Sequence, residues 1–349
     1  MRRRAAVLIG VAILAGAARA RAGSGFDEET FFAKQIPSYT IPTPTAGGDT
    51  IIGRAQPYRI RKGDTLMDLA RYFDLGYNEI LDANPGIDPW VPPAGAIIVL
   101  PTEWILPCCT YQGVIVNIPE MRLFYMRRAG ADTIVYTYPV GLGRDDWQTP
   151  SGKFRIIGKT VNPQWNIPES IRKEHIKERN DPRTFIPGGA DDNPLGKYRF
   201  ELSLPMYRIH GTDIPWGVGM QVSHGCVRLY PEDIERMFPL VPVGTTGEFV
   251  YQPVKIGRRG GVVYVETHED IYGSRPALYK DTAGQLDKMG LTAQTDQALV
   301  LQALEDSGGM PYRVSPDPDA PTLAMAGPNP DDRRNDRTPD QDEPQAGDD

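Results

Sequence analysis

Residues 222–229 read Val222-Ser223-His224-Gly225-Cys226-Val227-Arg228-Leu229, and they follow a second polar segment, Arg208-Ile209-His210-Gly211-Thr212. A thiolate attacks carbonyl carbons readily, whereas a thiol does so poorly, so a catalytic cysteine needs a nearby base. Two adjacent strands would bring the ring of His210 within hydrogen-bond reach of Cys226. The pattern therefore predicts a cysteine nucleophile that a histidine activates.

The residues beside Cys226 also suit acyl transfer. Gly225 permits a tight turn that would aim the amides of Gly225 and Cys226 at a developing oxyanion. Arg228 alternates with Cys226 along the strand, and its planar guanidinium can hold a substrate carboxylate. Two other interpretations stay open: a structural cysteine among core histidines, and a zinc site built from His210, His224 and Cys226.

The net charge indicates which partners to expect, and the first residues indicate the compartment. The 349 residues carry a formal net charge of −7, which gives no reason to expect a nucleic-acid partner. Residues 1–22 combine a basic start, an apolar run and small residues at a cleavage site, as signal peptides do; an uncleaved anchor is the alternative. Three cysteines in an exported protein leave at least one thiol without an intramolecular partner. A disulfide between Cys108 and Cys109 is an open alternative.

Composition and periodicity divide the rest of the chain and predict an α+β, multidomain protein. Residues 23–55 are rich in Pro, Thr and Gly and are interpreted as a flexible stalk. Residues 56–101 predict a small β-α-α-β module, with helices over 66–73 and 77–83. Residues 110–256 predict a mainly-β domain with few short helices and an irregular insertion at 162–192. A small C-terminal extension (257–315) and a disordered, acidic, Pro-rich tail (316–349) follow.

The segment from Ser223 to Arg228, preceded by His210, resembles the signature of YkuD-type L,D-transpeptidases. Other stretches resemble the larger Gram-negative members of that family, among them Thr149-Pro150-Ser151-Gly152, Asn162-Pro163-Gln164-Trp165 and Val241-Pro242-Val243-Gly244-Thr245. The resemblance implies a mainly-β catalytic domain in the periplasm that needs no metal or cofactor. It also implies attack on the meso-diaminopimelate–D-Ala bond of a peptidoglycan tetrapeptide stem.

The resemblance also implies the role of each residue. Cys226 would be the nucleophile and His210 its general base and acid, with the carbonyl of Gly211 orienting the imidazole. Ser223, His224 and Gly225 would shape the oxyanion loop, and Arg228 would bind substrate. The acyl acceptor stays open: a second stem gives a 3→3 cross-link, a lysine of an outer-membrane lipoprotein gives protein anchoring, and water gives carboxypeptidase activity. An amidase is a further alternative.

The module at 56–101 is similar to LysM modules, through Tyr58-Arg59-Ile60, Gly63-Asp64-Thr65-Leu66 and Ala83-Asn84-Pro85. Such a module implies binding of N-acetylglucosamine-containing glycan strands between two loops. The residues implied are Gly63, Asp64, Thr65, Leu66, Asn84, Pro85, Gly86 and Ile87. Because the module holds no candidate nucleophile or base, we expect it to supply targeting and to be separable from the catalytic domain. A spacer, or a non-catalytic wall-binding protein, is the alternative.

Overall fold

The structure, a computed structural model, describes residues 26–35, 37–45, 47–108, 111–273, 277–306 and 308–316. The predicted signal peptide lies outside these ranges, as does the predicted tail beyond Pro316. Among the helices of the described ranges, none is long and apolar enough to cross a membrane.

The segment before the LysM-like module is folded onto the rest of the protein. It forms helix α1 (Glu28–Ala33), strand β1 (Ser38–Pro42) and strand β2 (Ile51–Gly53). Strand β1 pairs antiparallel with residues 132–136 of the catalytic domain, and Phe31 is buried. The expectation of a flexible stalk is therefore wrong for the described residues from 26 onward. The apolar residues here are too few to show a period, but they bury against distant partners.

A buried ion network anchors this N-terminal segment. The Lys34 ammonium lies 2.6 Å from Asp74 Oδ1, 3.5 Å from Glu232 Oε1 and 3.7 Å from Asp233 Oδ1. Burial alone would lower the pKa of Lys34, but the three carboxyl groups outweigh it and hold that pKa above its usual value. The segment is thus tied by charge to both domains that follow.

Replacing Lys34 by alanine is expected to lower the free energy of unfolding by about 3–5 kcal/mol, because buried carboxyl groups would lose their ammonium partner. Urea denaturation at neutral pH measures this loss. Lys62→Ala, on an exposed loop, is the matched control and should change stability little. Equal stability of the two variants would mean that the network does not anchor the segment.

The module at 56–101 has the predicted β-α-α-β order. Strand β3 (Gln56–Arg59), helices α2 (Leu66–Tyr72) and α3 (Tyr77–Asp82) and strand β4 (Ile97–Leu100) follow one another, and the two strands pair antiparallel. The Thr65 hydroxyl accepts the amide of Asp68 at 3.0 Å and so caps α2.

The catalytic domain is mainly β, as predicted. Its strands are β5 (Glu103–Ile105), β6 (Gly113–Asn117), β7 (Arg122–Ala129), β8 (Asp132–Pro139), β9 (Leu142–Gly143), β10 (Gly152–Val161), β11 (Trp165–Asn166), β12 (Phe185–Ile186), β13 (Tyr198–Leu202), β14 (Arg208–His210), β15 (Gln221–Ser223), β16 (Val227–Arg228) and β17 (Thr246–Val250). Helix α4 (Glu169–Arg179) lies in the insertion and α5 (Pro231–Leu240) follows β16. The main sheet runs β1-β8-β7-β6-β17-β10-β13-β14-β16, which places β14 and β16 together at one edge.

The C-terminal extension has its own small core. It contains strands β18 (Val254–Arg259), β19 (Val262–Thr267) and β20 (Tyr312–Arg313) and helices α6 (Leu278–Lys288) and α7 (Gln297–Asp306). The predicted boundary at residue 257 falls inside β18, which pairs with β19. The buried Lys255 ammonium lies 2.7 Å from both Glu120 and Glu266, so this charge joins the extension to the catalytic domain.

The LysM-like module and the catalytic domain share one core. Ile80 and Leu69 of the module belong to the same apolar cluster as Ile115, Phe124 and Val135 of the sheet. Arg122, fully buried on β7, donates to both carboxylate oxygens of Glu79 on α3, at 2.8 and 2.7 Å. The expectation of a separable module does not fit this packing, because neither partner covers its own apolar face.

Candidate active site

His210 and Cys226 are brought together by two short parallel strands. In the pairing of β14 with β16, Ile209 lies opposite Val227 and His210 lies opposite Arg228. Ile209 and Val227 are fully buried in the core. Because side chains alternate along a strand, His210 and Arg228 lie on the other face. Cys226 directly precedes β16, so this pairing brings its segment next to the strand of His210.

Cys226 carries the candidate thiol of the site. It is a free cysteine, whereas Cys108 is disulfide-bonded, so the nucleophile candidate is not consumed by a bridge. Its Sγ lies 3.7 Å from the carbonyl oxygen of Met206, a residue with a φ of 69°. Burial raises the pKa of the thiol, while the backbone amide of Arg208 and the charge of Arg228 act in the opposite direction. The resting group is therefore the neutral thiol.

His210 is buried and held in one tautomer. Its Nδ1 lies 2.7 Å from the carbonyl oxygen of Gly211, which is the contact that the resemblance implied. A carbonyl can only accept, so Nδ1 carries the proton and Nε2 is left to accept one. Burial and, after it, the positive charge of Arg228 together lower the pKa of His210 to about 3. A neutral imidazole thus lies on the strand that neighbours the segment of Cys226.

We expect the imidazole of His210 to stay neutral at pH 5. Its pKa falls from 6.5 to about 3 on folding, so the unfolded chain binds this proton first and stability declines as pH drops through that window. Ring ¹⁵N chemical shifts measure the state, with His210→Gln assigning the signal. Observation of a proton on Nδ1 alone at pH 5 supports the tautomer; a titration centred near 6.5 would contradict it.

The loop before Cys226 is fixed by its own polar groups. Gly225 has a φ of 98°, and a Cβ there would lie 2.8 Å from the ring of Tyr207, so glycine is required. The amide of Gly225 donates to Ser223 Oγ at 3.1 Å, and the Ser223 hydroxyl donates to the carbonyl of Cys226 at 2.6 Å. The expectation that the Gly225 amide points at an oxyanion is therefore wrong in this structure, because Ser223 already accepts it.

Comparison with known proteins shows the family to which the chain belongs. A family model described as the L,D-transpeptidase catalytic domain matches residues 111–256, and a LysM domain model matches residues 58–101. A probable L,D-transpeptidase of Escherichia coli, YbiS, is 31% identical over 295 residues, which cover 81% of this chain and 94% of that protein. The chain belongs to the L,D-transpeptidase family.

Two further similarities are of the same kind. The probable L,D-transpeptidase ErfK/SrfK of Salmonella typhimurium is 32% identical over 288 residues, covering 80% of this chain and 91% of that protein. Among solved structures, L,D-transpeptidase 3 of Mycobacterium tuberculosis overlaps 46% of this chain and 73% of its own, at 17% identity and a TM-score of 0.30.

In this L,D-transpeptidase a second layer of hydrogen bonds braces the loop before Cys226. The Thr149 hydroxyl donates to the carbonyl of Gly225 at 3.0 Å and accepts the amide of Gly143 at 3.1 Å. The hydroxyl of Tyr272, from the C-terminal extension, donates to the carbonyl of Gly143 at 2.7 Å. Sequence reasoning missed both side chains; the stretch from Thr149 to Gly152 was the available signal for the first.

His224 faces the insertion and not the thiol. Its Nε2 lies 2.8 Å from Glu174 Oε2 on α4 and 3.2 Å from Arg144 Nη2. The zinc alternative needed His210, His224 and Cys226 to converge. Within the described ranges, the metal-ligating side chains that converge are instead Glu120, Glu266 and His268, where the Lys255 ammonium already lies. The zinc interpretation is therefore wrong for these three residues.

Arg228 gives the site a positive, half-buried side chain. Burial lowers the pKa of its guanidinium, and the carboxyl group of Asp213 acts in the opposite direction. Within the described part of the chain, Arg228 Nε and Asp213 Oδ1 are buried without a hydrogen-bond partner. Arg199 and Arg208 add positive charge around His210. Such a site favours a ligand that brings carboxylate groups.

The implied glycan residues of the LysM module divide into two groups. Asp64 is buried and accepts from the amide of Arg61 at 2.7 Å, and Asn84 is buried and bonds the backbone of Val99. Leu66 is in the core, so direct side-chain contact with a glycan is wrong for these three residues. The half-buried or exposed residues are Gly63, Thr65, Pro85, Gly86 and Ile87.

Proposed function

We propose that this chain is an exported L,D-transpeptidase that remodels peptidoglycan with Cys226 as its nucleophile. The observation that carries the proposal is the neutral imidazole of His210, held by Gly211, on the strand that pairs with the one that the free Cys226 precedes. A base with its acceptor nitrogen free can take the thiol proton as attack begins. The similarity to named L,D-transpeptidases over most of the chain supports the reaction class.

The chemistry proceeds in two acyl transfers. The sulfur of Cys226 attacks the carbonyl of the third stem residue, meso-diaminopimelate, while His210 Nε2 takes the thiol proton. The C–N bond to the terminal D-Ala breaks, and the imidazolium gives its proton to the leaving amine. An acceptor amine then attacks the thioester, loses a proton to His210, and the thiol re-forms. This sequence leaves the enzyme unchanged and predicts ping-pong kinetics.

The remaining residues hold the substrate and the loop. Arg228, which is half-buried, binds a stem carboxylate next to the sulfur. Ser223 holds the Gly225 and Cys226 backbone in the attacking conformation. The LysM module binds the glycan strand, through the exposed Gly63, Pro85 and Gly86 and their neighbours. Residues 1–22 direct the chain to the periplasm, where its partners are glycan strands and stem peptides.

Product analysis with and without an amine acceptor tests the reaction. A disaccharide-tetrapeptide should release D-Ala and yield a dimer joined between two third residues. Adding a lysine-terminated peptide should divert the acyl group to that amine, as anchoring of an outer-membrane lipoprotein would require. If a tripeptide is the sole product under all conditions, the enzyme hydrolyses the bond as an L,D-carboxypeptidase and does not transfer the acyl group. Muropeptides from sacculi of cells with and without the protein identify the natural acceptor.

A further inference from the structure

The turn between the two catalytic segments exposes a large aromatic side chain. Residues 214–220 connect the strand of His210 to the loop of Cys226, and they include a short helical turn, Pro215–Gly217. Within it the indole of Trp216 is 57% exposed, whereas the next two residues, Gly217 and Val218, are buried. The backbone is thus packed and the ring is presented to solvent.

The LysM module holds this turn by its backbone. The amide of Tyr77, the first residue of α3, donates to the carbonyl of Val218 at 3.1 Å, and the amide of Asn78 contacts the carbonyl of Gly219 at 3.4 Å. Gly219 has a φ of 83°, and a Cβ there would lie 2.2 Å from the nitrogen of Tyr77. The two segments therefore touch backbone to backbone.

The other side of the turn is fixed by the catalytic sheet. The amide of Gly219 donates to the carbonyl of Val140 at 3.2 Å, and the carbonyl of Met220 accepts the amide of Leu142 at 3.0 Å. The next residues, Gln221–Ser223, form β15 and lead directly into the nucleophile loop. The turn that carries Trp216 is consequently held on one side by the LysM module and on the other by the catalytic sheet.

An exposed indole on a rigid backbone is suited to one kind of contact. Its flat apolar face gains free energy when another flat, partly apolar surface covers it, and little side-chain entropy is lost because the backbone is already fixed. The apolar face of a pyranose ring is such a surface. The stem peptide is attached to a sugar of the glycan strand, so a sugar ring lies within the length of three residues, roughly 10 Å, of the bond that is cut.

We propose that Trp216 is a stacking platform for an N-acetylhexosamine ring of the glycan strand, between the LysM module and the nucleophile. The proposal rests on the proposed function, because it requires a substrate in which peptide and sugar are linked. It assigns the turn 214–220 to recognition of the sugar that carries the stem. The platform makes a disaccharide-tetrapeptide a better donor than the free tetrapeptide.

Donor kinetics on two substrates test the platform. Trp216→Ala should lower kcat/KM for D-Ala release from a disaccharide-tetrapeptide about tenfold, mainly through KM, and should leave the free tetrapeptide unaffected. Trp216→Phe, which keeps a flat ring, should retain most of the activity. Phe32→Ala removes another exposed aromatic ring, 43% exposed on α1, and is the control. Thermal unfolding confirms that each variant is folded.

Equal loss on both donors, or no loss on either, would overturn the platform. A direct binding measurement separates this outcome from failure of the proposed function. If wild-type protein releases D-Ala from neither donor, the proposed reaction fails. The stacking proposal is then tested by adding the tetramer of N-acetylglucosamine and following the NMR signal of the Trp216 indole N–H. That signal is identified by its loss in Trp216→Ala. A shift of that signal on addition supports the platform; an unchanged signal overturns it.

Discussion

Cys226→Ser is expected to abolish turnover, with a loss of about 10⁴-fold or more in kcat. The hydroxyl is nearly the same size as the thiol, so the fold should persist. A serine hydroxyl is a far weaker acid than a thiol, however, and His210, whose pKa is lowered to about 3, is too weak a base to activate it. Release of D-Ala from a tetrapeptide donor measures the loss.

Cys108→Ser is the matched control for this substitution. Cys108 is disulfide-bonded and lies in the link between the modules, where it contacts Gln252. The control should keep most of the wild-type turnover. Loss of activity in Cys108→Ser together with retained activity in Cys226→Ser would mean that Cys226 is not the nucleophile.

Removal of residues 56–101 is expected to unfold the catalytic domain. The deletion exposes Ile115, Phe124 and Val135, which share a core with the LysM module, and leaves the buried guanidinium of Arg122 without Glu79. Circular dichroism and thermal unfolding measure the outcome. A deletion variant that melts cooperatively and keeps its turnover on a soluble tetrapeptide would show that the module is separable after all.

A point substitution isolates the polar part of the same interface. Arg122→Ala should lower the free energy of unfolding by about 3–5 kcal/mol, because the Glu79 carboxylate would be left buried without its partner. Arg127→Ala, on the exposed end of the same strand, is the control and should change stability little. Equal effects of the two substitutions would mean that the contact between Arg122 and Glu79 does not stabilise the interface.

The meeting of the His210 and Cys226 segments could be predicted because their signal is local. Reactive and glycine residues stand within a few positions of Cys226, and strand alternation places Arg228 on the same face. The N-terminal segment could not be predicted in this way. Its partners are far along the chain: β1 pairs with β8, and Lys34 meets Asp74 and Glu232. The composition of residues 23–55 suggested a stalk because composition does not show contacts between residues that are distant in the chain.

The sequence also did not show whether a motif residue stabilises the fold or contacts a ligand. Asp64 and Asn84 were expected to contact glycan, but both satisfy buried backbone groups of a module too small to do so with secondary structure alone. Likewise, the sequence showed that Gly225 permits a turn, but not that the Ser223 hydroxyl would accept its amide. Which polar atom reaches which neighbour depends on packing in three dimensions.

Mass spectrometry of the acid-quenched enzyme tests the central claim most directly. Wild-type protein mixed with a tetrapeptide donor should gain the mass of the tripeptide acyl group, and peptide mapping should place it on Cys226. His210→Gln should accumulate this thioester far more slowly, and Cys226→Ser should not form it. Release of D-Ala with no adduct, or with an adduct on another residue, would contradict a Cys226 thioester as the intermediate.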